Sequence, residues 1–285
     1  MRASRLGLIA GGGALPIHVA EAARSEGRLG CVVALDGFAD PADFPGCARV
    51  ALGQLGKMFA ALREAQCDAV CFAGIVPRPD FSKLKLDMKA MAALPKVLAA
   101  AARGDDQLLR AVVRLFEAEG MSVVGADEIA QSLVLREGLL TQTGPDETAR
   151  ADALKALHVA GVIGAEDIGQ GAVVAEGLVL AVEAQEGTDG MLARVAGLSA
   201  SVRGSADARK GVLAKRPKPG QEKRIDLPVI GVSTVENAAK AGLAGIAAQA
   251  GSALILGEEA VAEAANRHGL FLWGVGDAQI ARAPQ

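Results

Sequence analysis

The 285-residue chain is long enough for two modest domains, and its composition, 51% hydrophobic and 22% charged, excludes intrinsic disorder. The formal net charge of −3 gives no general attraction to nucleic acid, and aromatic residues, at 3% with no tyrosine, are too few for a single-strand stacking platform. Such an apolar composition is compatible with a homodimer.

The four cysteines all lie in the first quarter of the chain, at positions 31, 47, 67 and 71. Their spacings match no common zinc motif, so we predict buried, reduced thiols of a cytoplasmic protein. The N-terminus reads as a strand running into glycines rather than a signal peptide, and no segment reaches the ~20 consecutive apolar residues of a membrane span. The sequence therefore predicts a soluble protein.

The first part of the chain alternates strands and helices. The predicted elements are strands at "RLGLIA", "CVVAL", "ARVAL", "DAVCFAG" and "MSVVG", and helices at residues 15–24, "LGKMFAALREAQ" and 104–119. Alternation of this kind is typical of a mostly parallel sheet covered on both faces. We predict a Rossmann-like N-terminal domain over residues 1–132.

Residues 133–150 lose the alternation and read as a linker punctuated by glycine and proline. Beyond it, "GAVVAEGLVLAVEA" predicts a hairpin, "EGTDGMLARVAGL" a loop and helix, "DLPVIG" a strand and "LFLWGVG" a closing strand. Ser233 and Glu236 form an S-x-x-E capping box before another helix. The fold class predicted is α/β with two domains, the second a mixed α/β domain over 151–285, and with a substrate cleft between them.

Gly11, Gly12 and Gly13 follow the first strand, where residues without Cβ atoms let backbone amides approach a ligand. A dinucleotide fingerprint would need a third spaced glycine, and Pro16 occupies that position. The pattern favours a nucleotide or phosphate contact, and a tight strand–helix turn without a ligand is the alternative.

Two further segments offer ligand contacts in the first domain. The loop after "FAG" carries Gly74 and Arg78, and ligands of open α/β sheets gather at the carboxyl ends of strands. Asp105 and Asp106 begin a helix, where acids complement the helix dipole; ordering of a ligand or of a metal's water shell is the alternative for one of them. For the loop that carries Gly74 and Arg78, the alternative is an ordinary surface loop without a ligand, which explains the sequence equally well.

In the second domain, Thr188 and Asp189 lie between glycines just before a helix. Either residue could be the N-cap of that helix. The glycines on both sides would also allow a phosphate to approach the backbone, so the sequence leaves both interpretations open.

The stretch "VLAKRPKPGQEKRIDLPVIG", residues 212–231, places five cations, Lys215, Arg216, Lys218, Lys223 and Arg224, before a single acid in an apolar run. Lysine and arginine neutralise phosphate oxygens, and a carboxylate among apolar neighbours needs a cation, a metal or hydrogen bonds. Asp226 therefore forms an internal salt bridge, or binds a divalent metal or orients water beside a diphosphate.

These segments together resemble the UDP-2,3-diacylglucosamine diphosphatases of lipid A assembly, of the type unrelated to calcineurin-like phosphoesterases. The resemblance rests on "GLIAGGGALP", "FAGIVPRP", "GDDQLLRAV", "DIGQGAVV", "VEAQEGTDGML" and "KRPKPGQEKRIDLPVIGVSTVENAAKAGLAGIA" in this order, over nearly the full length. It implies Mg²⁺-dependent hydrolysis to UMP and 2,3-diacylglucosamine 1-phosphate by a two-domain cytoplasmic enzyme working at the inner-membrane surface.

The family's essential aspartate matches Asp226, which the resemblance makes catalytic and metal-binding, with Lys218 beside it. The remaining motif positions are predicted to bind substrate: Gly11, Gly12, Gly13, Gly74, Arg78, Asp105, Gln170, Thr188, Asp189, Lys215, Gln221 and Ser233. The N-terminal glycine loop is expected to face the uridine nucleotide, and the C-terminal domain to take much of the lipid.

Two other functions compete with hydrolysis. The N-terminal strand–glycine–helix unit would suit an NAD-dependent oxidoreductase, although the fingerprint is broken. A non-catalytic carrier of a nucleotide-linked lipid would use the same basic loop without requiring Asp226 for turnover.

Overall fold

The computed structural model describes residues 5–282, which divide into two compact units. The first unit runs from the beginning of the described chain to Ser132 and also includes the segment Glu222–Asp226. The second unit comprises Leu133–Gln221 and the chain from Leu227 onward. Residue Asp226 is thus the last residue of a short segment that belongs to the first unit, although it lies between two parts of the second in sequence.

The first unit is built on a five-stranded sheet. Its elements are β1 (Leu6–Ala10), α1 (Leu15–Ser25), β2 (Leu29–Leu35), β3 (Ala48–Val50), α2 (Leu55–Glu64), β4 (Ala69–Ala73), α3 (Met88–Ala101), α4 (Asp105–Glu117), β5 (Ser122–Val124) and α5 (Ala126–Ile129). All neighbouring strands are parallel, in the order β3-β2-β1-β4-β5. The predicted Rossmann-like parallel sheet is confirmed.

The core of the first unit explains why these segments fold as they do. Every residue of β1 is buried, as expected for a central parallel strand covered on both faces. Phe116 of α4 packs at 4.8 Å between ring centroids on both Phe59 and Phe72, so α4 is held against α2 and β4. This contact fixes the helix whose first turn carries Asp105 and Asp106.

The second unit contains a six-stranded mixed sheet and a separate strand pair. Its elements are β6 (Gly138–Leu139), α6 (Glu147–Ala165), β7 (Gly171–Ala175), β8 (Leu178–Val182), α7 (Gly187–Ala196), α8 (Ala200–Arg203), β9 (Val212–Lys215), β10 (Val229–Ile230), α9 (Val232–Lys240), β11 (Gly245–Gln249), β12 (Leu254–Ile255), α10 (Glu258–His268), β13 (Phe271–Val275) and α11 (Asp277–Ala281). The large sheet has the order β6-β13-β11-β9-β7-β8, and β10 pairs with β12. Strands β9, β11 and β13 run parallel, whereas β6, β7 and β8 join the sheet through antiparallel pairs. The predicted mixed α/β architecture is confirmed.

Two predicted features of the second unit are seen in detail. The hairpin β7–β8 turns through Glu176 and Gly177, both at positive φ, and the carboxylate of buried Asp152 accepts hydrogen bonds from both turn amides at 2.8 Å. Residues 133–150, predicted as a linker, contribute β6 to the large sheet and the beginning of α6. An α-helix with an internal proline, α3, was not predicted.

Burial of the cysteines differs from the prediction. All four are free thiols, but only Cys71 is fully buried, and Cys31, Cys47 and Cys67 are half-buried. The prediction of burial is therefore wrong for three of them: Cys47 and Cys67 lie outside the strands, and Cys31 lies in the less buried first half of β2. None of the helices within residues 5–282 has the length and hydrophobicity that a membrane span requires.

Candidate functional site

The segment Glu222–Asp226 is anchored to the first turn of α4. The backbone N–H of Glu222 donates to Asp106 Oδ1 at 2.8 Å, and Asp106 Oδ2 accepts from Arg110 Nε at 2.7 Å. Asp106 thus complements the helix dipole, as predicted for an acid in a first turn, and also holds the segment that ends at Asp226. A charge-assisted hydrogen bond of this kind is among the stronger ones in proteins.

Arg224 forms a second anchor for this segment. Its Nε and Nη2 atoms donate to the two carboxylate oxygens of Glu222 at 2.8 and 2.9 Å, and its Nη1 atom donates to Glu117 of α4 at 2.9 Å. The hydrogen bonds from Arg224 lower the pKa of Glu222, and the two carboxylates raise the pKa of Arg224. Ile225 adds an apolar contact to the core of the first unit. Arg224 therefore fixes the loop, rather than presenting its charge to solvent.

Asp226 follows a tight turn that sets its backbone position. Residues 223–225 form the turn, and the Asp226 N–H donates to Glu222 O at 3.2 Å. The residue is half-buried, and Leu227 and Pro228 lead directly into β10. The turn and the bond from Glu222 to α4 set the backbone position of Asp226 within the first unit.

The other cations of the basic stretch also have partners within the protein. Lys215, at the end of β9, is 5% exposed and donates from Nζ to Val229 O at 2.9 Å. Arg216 Nε donates to Gln249 Oε1 at 3.2 Å, and Lys218 Nζ donates to Asp167 Oδ1 at 2.7 Å. Lys223 is exposed. Most of these charges therefore have protein partners, and binding of a diphosphate by the basic stretch stays a prediction.

Gln221 completes the local structure of the basic loop. Its Oε1 atom accepts from the Lys218 backbone N–H at 2.7 Å, and its own N–H donates to Lys218 O at 3.1 Å. Gln221 is 8% exposed. This reciprocal pair closes the Pro-Gly turn and positions the Lys218 side chain.

The glycine-rich loop is joined to the loop after β4 by backbone hydrogen bonds. The N–H groups of Gly11 and Gly12 donate to Ala73 O at 2.8 Å and to Ile75 O at 2.9 Å, so these two amides extend the strand pairing. Gly74 has φ +97°, and a Cβ atom there would lie 2.6 Å from Gly12 O. Gly13, at φ +86°, is exposed. The amides of Gly11 and Gly12 are thus bonded within the protein, and close backbone approach explains Gly74, while a nucleotide or phosphate contact of this loop stays a prediction.

Arg78 and Asp105 are brought together as an ion pair. Arg78 donates from Nη1 to Asp105 Oδ1 at 2.8 Å and from Nη2 to Ala101 O at 2.7 Å. Both side chains remain partly exposed, at 45% and 35%. The pair ties the loop after β4 to the junction between α3 and α4, at the beginning of the helix that anchors the segment of Asp226.

Three further candidates of the second unit lie at the beginnings of two elements, Gln170 before β7 and Thr188 and Asp189 in α7. Gln170 precedes β7; its backbone O accepts from Arg216 N at 2.9 Å, and its Oε1 atom is buried without a partner among the described residues. Thr188 and Asp189 lie in the first turn of α7, where Thr188 Oγ1 donates to Glu183 Oε1 at 3.0 Å and Asp189 Oδ1 accepts from Asn237 at 2.9 Å.

The structure corrects two predicted helix caps. The N-cap of α9 is Gly231, whose N–H donates to Thr234 Oγ1 at 3.3 Å, so the predicted Ser233–Glu236 box is wrong; Ser233 is exposed in the first turn. The N-cap of α7 is Glu186, and neither Thr188 nor Asp189 caps that helix. A glycine lies at each start, Gly231 before α9 and Gly187 at the beginning of α7, so the cap position was ambiguous in the sequence.

Glu183 is a polar core residue that sequence reasoning missed. It is 6% exposed, and its Oε2 atom is buried without a hydrogen-bond partner among the described residues. A Cβ atom on Gly171 would lie 2.5 Å from Oε2, so the carboxylate occupies the space that a side chain on the neighbouring strand would fill. An acid at the end of the apolar run "LVLAVEA" was the available signal.

Comparison with known proteins agrees with the sequence resemblance. The model of the LpxI N-terminal domain matches residues 5–133, and that of the LpxI C-terminal domain matches residues 136–273. The chain is also 54% identical over 273 residues to a Caulobacter vibrioides protein, UDP-2,3-diacylglucosamine pyrophosphatase LpxI, covering 95% of this chain and 97% of that protein. The chain belongs to the LpxI family, as the motifs predicted.

Proposed function

We propose that this chain hydrolyses the diphosphate of UDP-2,3-diacylglucosamine during lipid A synthesis, with UMP and 2,3-diacylglucosamine 1-phosphate as products. The observation that carries the proposal is the 54% identity, over 95% of the chain, to a protein named for this pyrophosphatase activity. The anchored turn before Asp226 adds support, because hydrolysis of a phosphoric anhydride needs precisely placed charge more than covalent chemistry.

In this proposal Asp226 is the catalytic carboxylate. Its backbone is positioned by the turn at 223–225 and by the bond from Glu222 to Asp106, which reduces the entropy lost on placing the carboxylate for reaction. The carboxylate orients the attacking water or accepts its proton. Lys218 neutralises charge that develops on the phosphate oxygens, and its ion pair with Asp167 holds the ammonium in place.

Mg²⁺ is the proposed cofactor, with Asp226 as the protein ligand. Within residues 5–282, no group of three or more His, Cys, Asp or Glu side chains is arranged to hold a metal ion. A single carboxylate, that of Asp226, fits Mg²⁺, which is often bound through one or two carboxylates together with substrate phosphates and water, rather than by a closed protein cage. When bound, the ion would neutralise negative charge on the diphosphate.

The remaining candidates are proposed to bind substrate. Gly13 and the loop of Gly74 and Arg78 would face the uridine nucleotide, with Gly11, Gly12 and Asp105 supporting this loop through the bonds described above. Gln170, Thr188, Asp189, Lys215, Gln221 and Ser233 would contact the rest of the substrate. The buried Oε1 atom of Gln170, which lacks a protein partner, is the strongest single indication of a ligand contact in this group.

Contact with the cytoplasmic face of the inner membrane is the proposed location of turnover, because the substrate carries two acyl chains. Helix α3 supports this: Met88, Met91 and Leu98 are 89%, 61% and 42% exposed, and Pro95 is also exposed on this side of the helix. Residues 81–103 hold five lysines or arginines and one acid, Asp87. An apolar helix face with surrounding basic residues is typical of binding to anionic lipid surfaces.

The experiment incubates the purified full chain with UDP-2,3-diacylglucosamine, with Mg²⁺ or with a chelator, and measures UMP. We expect UMP release that requires Mg²⁺ and falls at least about a hundredfold in Asp226→Ala, while substrate binding is retained. Substrate binding without UMP release by the wild type would favour a carrier. Tight NAD binding without UMP release would favour an oxidoreductase, and either result would overturn the proposal.

A further inference from the structure

The sulfurs of Cys31 and Cys67 lie 3.8 Å apart in the first unit. Cys31 is on β2, Cys67 lies between α2 and β4, and both are half-buried. The two atoms form a thiol–thiol hydrogen bond, so a modest approach would bring them to the ~2.05 Å of a disulfide. Neither residue takes part in the proposed hydrolysis.

The backbone holds Cys67 in place. Helix α2 ends with Gln66 at φ +55°; the Cys67 N–H donates to Leu62 O and the Gln66 N–H to Arg63 O, both at 2.9 Å. This is the hydrogen-bond pattern of a Schellman motif, with glutamine in the left-handed position that glycine usually occupies. The direction of the Cys67 side chain is therefore set by the end of the helix.

Gly30 on β2 leaves the space that the Cys67 sulfur occupies. A Cβ atom on Gly30 would lie 2.7 Å from Cys67 Sγ and 3.0 Å from the Arg5 side chain, whereas the space beside Gly7 is taken chiefly by Leu62. A side chain at position 30 would therefore push the Cys67 sulfur away from its place near Cys31.

The pair has the chemical asymmetry of a nucleophile and a resolving thiol. The hydrogen bond from Cys31 lowers the pKa of Cys67, and the Arg5 guanidinium lowers it further, against desolvation and the charge of Asp68. The same hydrogen bond, together with burial, raises the pKa of Cys31. Thiolate character on Cys67 favours its attack on an oxidant, while Cys31 keeps its proton.

We propose that Cys31 and Cys67 form a peroxide-oxidisable dithiol that closes to an intramolecular disulfide. The Cys67 thiolate attacks hydrogen peroxide; the O–O bond breaks, and with one proton the products are Cys67 sulfenic acid and water. The Cys31 thiol then attacks the sulfenic sulfur, forming the S–S bond and releasing a second water. Two thiols are oxidised, and one peroxide is reduced to two waters.

The other two cysteines serve as internal controls. Cys71 is fully buried in β4, and desolvation raises the pKa of its thiol to about 12, so it is expected to resist peroxide. Cys47 is half-buried like the pair, but it lies in the turn before β3, where its sulfur contacts Pro41 O at 4.0 Å. Exposure alone would make Cys47 react as readily as Cys31.

The experiment treats the folded full chain with hydrogen peroxide, quenches it, alkylates the remaining thiols after denaturation, and analyses the peptides by mass spectrometry. We expect a loss of about 2 Da per chain before alkylation, two fewer alkylated cysteines after it, a crosslinked peptide pair containing Cys31 and Cys67, and recovery with dithiothreitol. Cys47→Ser should behave as the wild type. Cys31→Ser should lose the crosslink and leave Cys67 as a sulfenic acid that dimedone traps.

Three results would overturn the proposal: all four thiols retained under peroxide that oxidises a free thiol control, a crosslink that includes Cys47, or a disulfide between two chains. Peptide mapping of the unmodified protein decides these outcomes even if Cys31→Ser fails to fold. The result does not depend on the diphosphatase activity.

Discussion

The hydrogen bond between Asp106 and the Glu222 backbone provides the sharpest test of how Asp226 is positioned. Asp106→Ala removes the acceptor at 2.8 Å from Glu222 N and also the ion pair to Arg110. Asp106→Asn removes the ion pair as well but keeps an amide oxygen that can accept from the Glu222 N–H. The two variants therefore differ mainly in whether the segment keeps this anchor.

The expected magnitude follows from the bonds that remain. A hydrogen bond to a charged group contributes about 1.5–3 kcal/mol, which corresponds to roughly a 10- to 150-fold change in the equilibrium that docks the segment on α4. The second anchor, Arg224 to Glu117, joins side chains that are 37% and 44% exposed, so solvent screening makes it weaker than the bond to Asp106. We expect kcat to fall about tenfold or more in Asp106→Ala and less than about threefold in Asp106→Asn.

The assay is UMP release under saturating substrate, with the thermal midpoint measured in parallel. A positioning role predicts a loss in kcat with KM nearly unchanged, because Asp106 does not contact substrate in this proposal. Equal activity of the alanine and asparagine variants would refute the reasoning. So would a drop in activity that only follows a drop in the thermal midpoint, since that would indicate general unfolding.

Three further predictions follow from single contacts. Gly74→Ala should lower the thermal midpoint of unfolding by about 10 °C, because Gly74 has φ +97° and its new Cβ would meet backbone. The control is Gly27→Ala, at φ +67° with nothing within 4 Å of the new Cβ, which should lower the thermal midpoint much less. Arg224 lowers the pKa of Glu222, so this pair stabilises the fold above the unfolded glutamate pKa of about 4.3 and loses that effect as pH falls. In denaturant titrations, the difference in unfolding free energy between wild type and Glu222→Gln should therefore shrink below about pH 4. Glu183→Gln keeps the shape of a buried side chain whose Oε2 atom has no hydrogen-bond partner among the described residues, so the thermal midpoint should stay or rise; a clear fall in the midpoint would show that the carboxylate itself stabilises the core.

The alternation of strands and helices made the first unit largely predictable. Each strand from β1 to β5 is a short apolar run bounded by turn residues, and the parallel order follows from the helices between them. Helix α3 was missed because Pro95 interrupts it and because its exposed face is as apolar as its buried face, so no helical stripe stands out. Strands β9 and β11 are only four and five residues long, and they are difficult to distinguish from buried helix segments by pattern alone.

The candidate site was less predictable, because its contacts join distant parts of the chain. The sequence singled out Asp226 as an acid in an apolar run, and the family resemblance gave it a role. Nothing in the sequence indicated that Asp106, 116 residues before Glu222, would hold this segment. Partners of charged side chains depend on tertiary packing, and so the sequence did not indicate that most cations of the basic stretch bind groups within the protein.

An ion pair within the protein does not remove a cation from phosphate binding, but it changes what the cation can do. The ammonium of Lys218 has three donors, and its bond to Asp167 uses one, so the pair can fix its position while donors remain for a phosphate. Arg224 commits three nitrogens to Glu222 and Glu117, and their two carboxylates offset its charge. Phosphate would have to compete with both acids for that guanidinium. Of these two cations, Lys218 is therefore better suited to stabilising a developing negative charge, and Arg224 to holding the turn on which Asp226 depends.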